Sequence, residues 1–176
     1  HGGKGLIGMV HCLPLPGTFR ADTTIRQVVD RAVSDAKALQ DAGFDALIVE
    51  NEDKCTAPKL TMAQITALSI VVMAVRDAVR LPIGLSCGSL NYEFAFSLAK
   101  IADCQFVRVP VFVDTVMNHT GIVTPCSQQV VHCRKMVGAE DIKIFADVQV
   151  KHYYMLNPNI PITASADWAV NQGADA

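Results

Sequence analysis

The amino-acid sequence predicts an α/β protein built on a parallel sheet. Two observations carry this. Five short apolar runs, Leu6–His11, Ala46–Asn51, Pro82–Cys87, Phe106–Val111 and Ile142–Asp147, alternate with segments of helical periodicity, the sequence form of repeated strand–helix units. Hydrophobic residues make up 51% of the chain and mean hydropathy is +0.28, as strands buried on both faces require.

Each element has a local reason. The first helix starts near Asp22-Thr23-Thr24, places Ile25, Val28, Val29, Ala32, Ala36 and Leu39 on one face, and stops at Gly43. Thr61-x-x-Gln64 is a capping-box pattern that opens a second helix, and Pro82 bars its continuation. Asn91 is placed to cap a third helix, and Ser127 a fourth that closes at Gly138. A fifth runs from Thr163 to Gln172, before Gly173. Asp114–Pro125 is expected to be a long polar loop with Gly121 as a hinge.

A small repeat extends the cycle. Gly43-Phe44-Asp45-Ala46 leads into the second strand, and Gly173-Ala174-Asp175-Ala176 has the same form, announcing a sixth. A closed eight-stranded barrel commonly takes roughly 250 residues, so 176 residues hold about five and a half of its units. The chain is then either a piece of a longer barrel or a shorter open sheet, which would have to protect its edges and would want a switch point. His1–Gly5 reads as a tag remnant or frayed end, and residues 6–176 as one partial barrel domain.

Composition narrows the partners. A net charge of −2 supplies no basic field for nucleic acid. The longest apolar stretch, around Ala67–Val75, is about half of the roughly 18 residues a membrane span needs. Small molecules or proteins are the expected partners. The six cysteines lack any C-x-x-C spacing, which predicts reduced core thiols and a cytoplasmic protein, with organelle targeting left open. No spacing identifies a metal site or a cofactor.

Ligand chemistry in parallel α/β folds collects at the carboxyl ends of the strands, which singles out His11, Glu50, Asn51, Arg108 and Asp147. Alternation along the fifth run puts Asp147, Gln149 and Lys151 on one side, toward the barrel mouth. Arg108 in such a mouth must be paired, with Asp147 and Glu50 as the available carboxylates. One reading is a structural ion pair. The other is a guanidinium that binds a carboxylate or phosphate, with Glu50 or Asp147 as general base. His11 precedes Cys12-Leu13-Pro14-Leu15-Pro16-Gly17, a loop stiff enough to hold an imidazole in place. Lys151 and His152 follow the fifth run.

These motifs form a pattern. Ile7-Gly8-Met9-Val10-His11 with Leu13-Pro14-Leu15-Pro16-Gly17, Ile48-Val49-Glu50-Asn51, Phe106-Val107-Arg108-Val109, and Phe145-Ala146-Asp147-Val148-x-Val150-Lys151-His152 together resemble the BtpA/SgcQ family. The resemblance covers about Leu6 to Ala176 and implies a TIM (β/α)8 barrel of the ribulose-phosphate-binding kind. It departs at Ser89-Leu90-Asn91, at Pro110, and in the loop carrying Lys54 and Cys55. Some members are linked to photosystem I assembly and others to sugar metabolism. The resulting expectation is an enzyme acting on a small phosphorylated sugar-like or nucleotide-like molecule. His11, Glu50 and Asp147 would be catalytic, Asn51, Arg108, Lys151 and His152 would bind substrate, and the protein would form a homo-oligomer. The rival expectation is a non-catalytic assembly or stability factor whose rim residues form an ion-pair network.

Overall fold

A computed structural model describes residues 5–18, 21–51, 59–88, 90–119 and 121–176. The proposed tag residues 1–4, Lys54, Cys55 and Ser89 lie outside them.

Five parallel strands form the main sheet: β1 (Ile7–His11), β2 (Ala46–Glu50), β3 (Ile83–Ser86), β4 (Phe106–Val109) and, taking the element numbers in chain order, β7 (Lys143–Ala146). Their spatial order β1-β2-β3-β4-β7 follows the chain, so the strand order never reverses. An arc that adds each strand to the same edge is how a barrel grows, whereas a doubly wound sheet reverses direction.

The helices between them are α1 (Ile25–Asp41), α2 (Met62–Ala78), α3 (Tyr92–Ile101) and α4 (Ser127–Met136), with α5 (Ile162–Asn171) after β7. Both α1 and α2 start with a complete capping box, Thr24 with Gln27 and Thr61 with Gln64. Asn91 takes the N-cap position of α3 as expected but makes no side-chain capping hydrogen bond, and the cap expected at Ser127 is not made. The Asn91 side chain instead accepts from Leu60 N and donates to the Cys87 carbonyl, tying two loops together. Cys126 is the capping residue of α4, so Ser127 is already helical.

Strand parity divides the sheet into two faces. Val10, Val49, Leu85, Val107 and Ile144 lie in one row across all five strands, at most 1% exposed, and share one core with Val28, Ala32 and Ala36 of α1. The opposite face carries Met9, Ile48, Gly84 and Phe106 in a row. A Cβ on Gly84 would collide with the Phe106 ring, which stacks on Phe145 with centroids 4.4 Å apart. Glycine at that position lets the aromatic pair lie flat as a floor beneath the strand ends.

The segment that the repeat announces as a sixth strand does not form a regular one, but it lies hydrogen-bonded along the edge of β7. Asp175 N and Ala176 N donate to the Ile144 carbonyl, and Ala146 N donates to the Ala176 carbonyl at 2.7 Å. The edge of β7 is therefore already occupied. Asp45 N and Ala46 N meet the Leu6 carbonyl in the same way. In both copies the aspartate side chain accepts the neighbouring strand's first amide, Leu6 N for Asp45 and Ile144 N for Asp175.

The expected loop at Asp114–Pro125 is instead a hairpin. Its strands β5 (Val116–Asn118) and β6 (Gly121–Val123) join β8 (Tyr154–Met155) in a separate antiparallel sheet. Its base is pinched shut, because the Phe112 carbonyl accepts from both Cys126 N and Ser127 N. Val116, Val123 and Met155 turn inward onto Val111 and Val150. Among the described residues no helix is long and apolar enough to cross a membrane.

Candidate functional site at the strand ends

Register alone brings four of the site residues together. His11 pairs with Glu50, Glu50 with Ser86, and Ser86 with Arg108. Paired positions on parallel strands point to the same face, so these side chains form one row above the Met9–Phe106 row. The next place in the row belongs to Phe145. Asp147, two residues on, lies beyond the end of β7 but keeps its face, because its amide still donates to the Val109 carbonyl.

Hydrogen bonds join Ser86, Glu50, Arg108 and Asp147, and His11 closes on Glu50 at ion-pair distance. Arg108 grips Asp147 with two donors, Nε to Oδ1 at 3.0 Å and Nη2 to Oδ2 at 2.7 Å. Its Nη1 reaches Glu50 Oε1 at 3.2 Å, and the Ser86 hydroxyl donates to the same oxygen at 3.0 Å. The other carboxylate oxygen, Oε2, lies 3.5 Å from His11 Nε2. Two carboxylates thus share one guanidinium, and the ring nitrogen Nδ1 of His11 is the one not turned to Glu50. Burial grades along the row. The Arg108 and Glu50 side chains are 19% and 16% exposed, whereas His11 is 50% exposed.

That gradient suits proton transfer. A carboxylate fixed by a guanidinium and a hydroxyl can orient an imidazole through Nε2, leaving the outer nitrogen to exchange a proton with a ligand, as carboxylate–histidine pairs do. The loop after His11 is fastened as expected: Leu15 is fully buried and the Thr23 hydroxyl donates to the Pro14 carbonyl. Cys12, immediately after His11, takes no part. Burial, with a further push from the Glu50 charge, raises its thiol to about 12, far from a reactive thiolate. The five described cysteines are all free and buried.

Asn51 follows Glu50, and its Oδ1 is buried without a hydrogen-bond partner among the described residues. Lys151 and His152 sit exposed in a turn. The alternation expected through Lys151 fails after Asp147 because the chain leaves the strand there. Gln149 takes φ 48° and His152 φ 68°, and Gln149 turns away from the mouth. Its amide donates to Asp114 Oδ2 at 2.7 Å, while its side chain reaches the Ile160 carbonyl. Among the described residues no group of three His, Cys, Asp or Glu side chains is arranged to hold a metal ion.

Sequence reasoning missed Ser86, Asp114 and Ser165. Ser86 is the actual end of β3, one residue short of the run predicted to close at Cys87. Asp114 is 4% exposed and accepts the Ser165 hydroxyl at 2.7 Å. Its distinguishing feature is a carboxylate among valines, Val111 to Val116.

Comparison with known proteins agrees with this architecture. The BtpA family model matches residues 3–176. An uncharacterized protein of Methanocaldococcus jannaschii is 35% identical over 155 residues, 86% of this chain and 58% of its own length. The photosystem I biogenesis protein BtpA of Synechocystis is 30% identical, covering 88% of this chain and 55% of its own length. The putative sgc region protein SgcQ of Escherichia coli is 26% identical, with 89% and 59% covered. The chain therefore spans less than two thirds of the length of these relatives. Among solved structures, a Yersinia pestis DHPS superposes with TM-score 0.60 at 11% identity, over 96% of this chain and 52% of that one. A putative dihydrodipicolinate synthetase from Pseudomonas aeruginosa gives 0.57 at 14% identity, over 97% and 44%. Both neighbours are TIM barrels, and at such identities they speak to fold alone. With the family model matching nearly the whole length and a relative at 35% identity, the chain belongs to the BtpA family.

Proposed function

We propose that these strands are the first part of a closed (β/α)8 barrel, and that the barrel is an acid–base enzyme acting at its strand-end rim. Its substrate is a small polar molecule, phosphorylated and sugar-like or nucleotide-like. The observation that carries the proposal is the row in which Glu50, Arg108 and Asp147 are hydrogen-bonded and His11 lies 3.5 Å from Glu50, half exposed at the histidine end and largely buried at the arginine. In this reading His11 Nδ1 exchanges the proton, Glu50 orients the ring and holds its charge, and Arg108 sets the positions of both carboxylates. Asp147 is the second acid–base group. Asn51 has a buried side-chain oxygen without a hydrogen-bond partner among the described residues, which a substrate donor would satisfy, and Lys151 with its charge and His152 with its ring N–H would meet an anionic group beyond the row.

A second reading has its own support. The guanidinium is engaged by Glu50 and Asp147, as a purely structural ion-pair network requires, and one relative is named for photosystem I biogenesis. In that reading the protein is an assembly or stability factor.

Thermal-shift measurement on the full-length protein separates the two. A true ligand present at a hundred times its dissociation constant stabilises by about 2.7 kcal/mol, a shift of several degrees. Sugar phosphates and nucleotides are the compounds to screen, and Glu50→Gln should abolish the shift without lowering the unliganded melting temperature by more than a few degrees. If no compound in either class moves the transition, the enzyme reading falls and the structural one stands.

A further inference from the structure

Between the small sheet and α5 lies a cavity of about 220 Å³, lined by Val113, Asp114, Leu156, Ile160 and Trp168 among others. It shares no residue with the rim row. We propose that it binds an organic cation, an alkylated ammonium group, with Asp114 as counter-charge and Trp168 as aromatic face.

The case starts from Asp114. It is 4% exposed, and among the described residues no basic side chain forms an ion pair with it. Two donors serve it, the Gln149 amide and the Ser165 hydroxyl, each at 2.7 Å. An ionised carboxylate offers about four acceptor positions, so two donors leave it capacity. Ser165 belongs to the first turns of α5, and the positive end of that helix offsets only part of the cost of burying a charge. A cation in the cavity would supply the remainder.

The walls select which cation. Leu156, Ile160 and Val113 offer apolar surface, and an indole attracts positive charge to its face most strongly among the aromatic side chains. A hydrated metal ion would want several oxygen ligands, commonly more than one of them charged, and among the described residues Asp114 is the one carboxylate lining the space, beside the neutral Thr115 and Asn157. An anion would be repelled by it. A cavity of about 220 Å³ has room for a trimethylammonium headgroup.

Trp168 is the only tryptophan in the chain, so its fluorescence reports directly on the cavity. The test titrates this chain with choline and, separately, with 3,3-dimethylbutan-1-ol, which has the same shape without the charge. We expect a saturable change with choline and at least tenfold weaker binding of the neutral alcohol. Asp114→Asn, which keeps the shape of the side chain, should weaken choline at least tenfold; because that substitution also touches the fold, the ligand pair on the unaltered chain decides. Equal binding of the two molecules, or no saturable change with choline, overturns the proposal. The rim reading can fail without affecting this result, and the reverse also holds.

Discussion

Arg108 concentrates more energy than any other rim residue, because three of its donors meet two carboxylates that are themselves only 16% and 23% exposed. Removing the guanidinium leaves two half-buried negative charges side by side. Arg108→Ala should therefore cost on the order of 3 kcal/mol at neutral pH, within the range for breaking a buried pair, measured by urea denaturation. A loss below about 1 kcal/mol would instead mark an ordinary surface ion pair. Both partners could be named from the sequence, since consecutive parallel strands place their last residues in one row and only two carboxylates stood there. Gln149 could not be placed the same way. Its alternation holds only while the chain stays extended, and a residue at φ 48° carries no distinctive sequence mark when it is not glycine.

Among the elements, the entry to each strand is the most informative. Asp175 grips the Ile144 amide at 2.9 Å and also meets Lys143 and Arg134. Burial works against its charge, but the Ile144 amide, Lys143 and Arg134 outweigh that and hold its carboxyl below the usual range. A depressed carboxylate contributes stability that is complete above its unfolded value, about 3.9, and is lost as pH falls through the lower folded value. Amide exchange at Ile144 should therefore accelerate as pH is lowered below about 4, relative to amides deep in the sheet, and Asp175→Asn should remove that pH dependence. A flat profile in the unaltered chain would show the clamp to be idle. The aspartates were visible as a repeat, but their grip on a neighbouring strand was not, because it spans 39 residues in one copy and 31 in the other. The hairpin at β5 and β6 was hidden for a related reason. Each strand has three residues, too few for a periodic signal, and its third partner is the two-residue β8.

Across the whole molecule, an apolar surface stays open on the outer row of the small sheet, where Ile122, Met117 and Tyr154 stand abreast at 63%, 43% and 74% exposure. Patches of this kind commonly mark contact surfaces. The 176-residue chain should self-associate in light scattering, and Ile122→Ser with Tyr154→Ser should reduce the associated fraction; a monodisperse monomer at high concentration would refute this. The direction of the arc was legible because every crossover carries a helix and parallel neighbours then follow in chain order. Closure of the ring depends on strands that pair across the far side, about which the first five say little.

The clasp at the Leu6–Asp45 and Ile144–Asp175 junctions also bears on how the sheet is assembled. Gln105 repeats it at a third junction, donating to the Ile83 carbonyl and accepting the Ile83 amide. Each of these three fastenings uses only the incoming residue and the strand already laid down. A nascent polypeptide can thus lock a βα unit onto its predecessor at these junctions as it leaves the ribosome, like a zip drawn from one end.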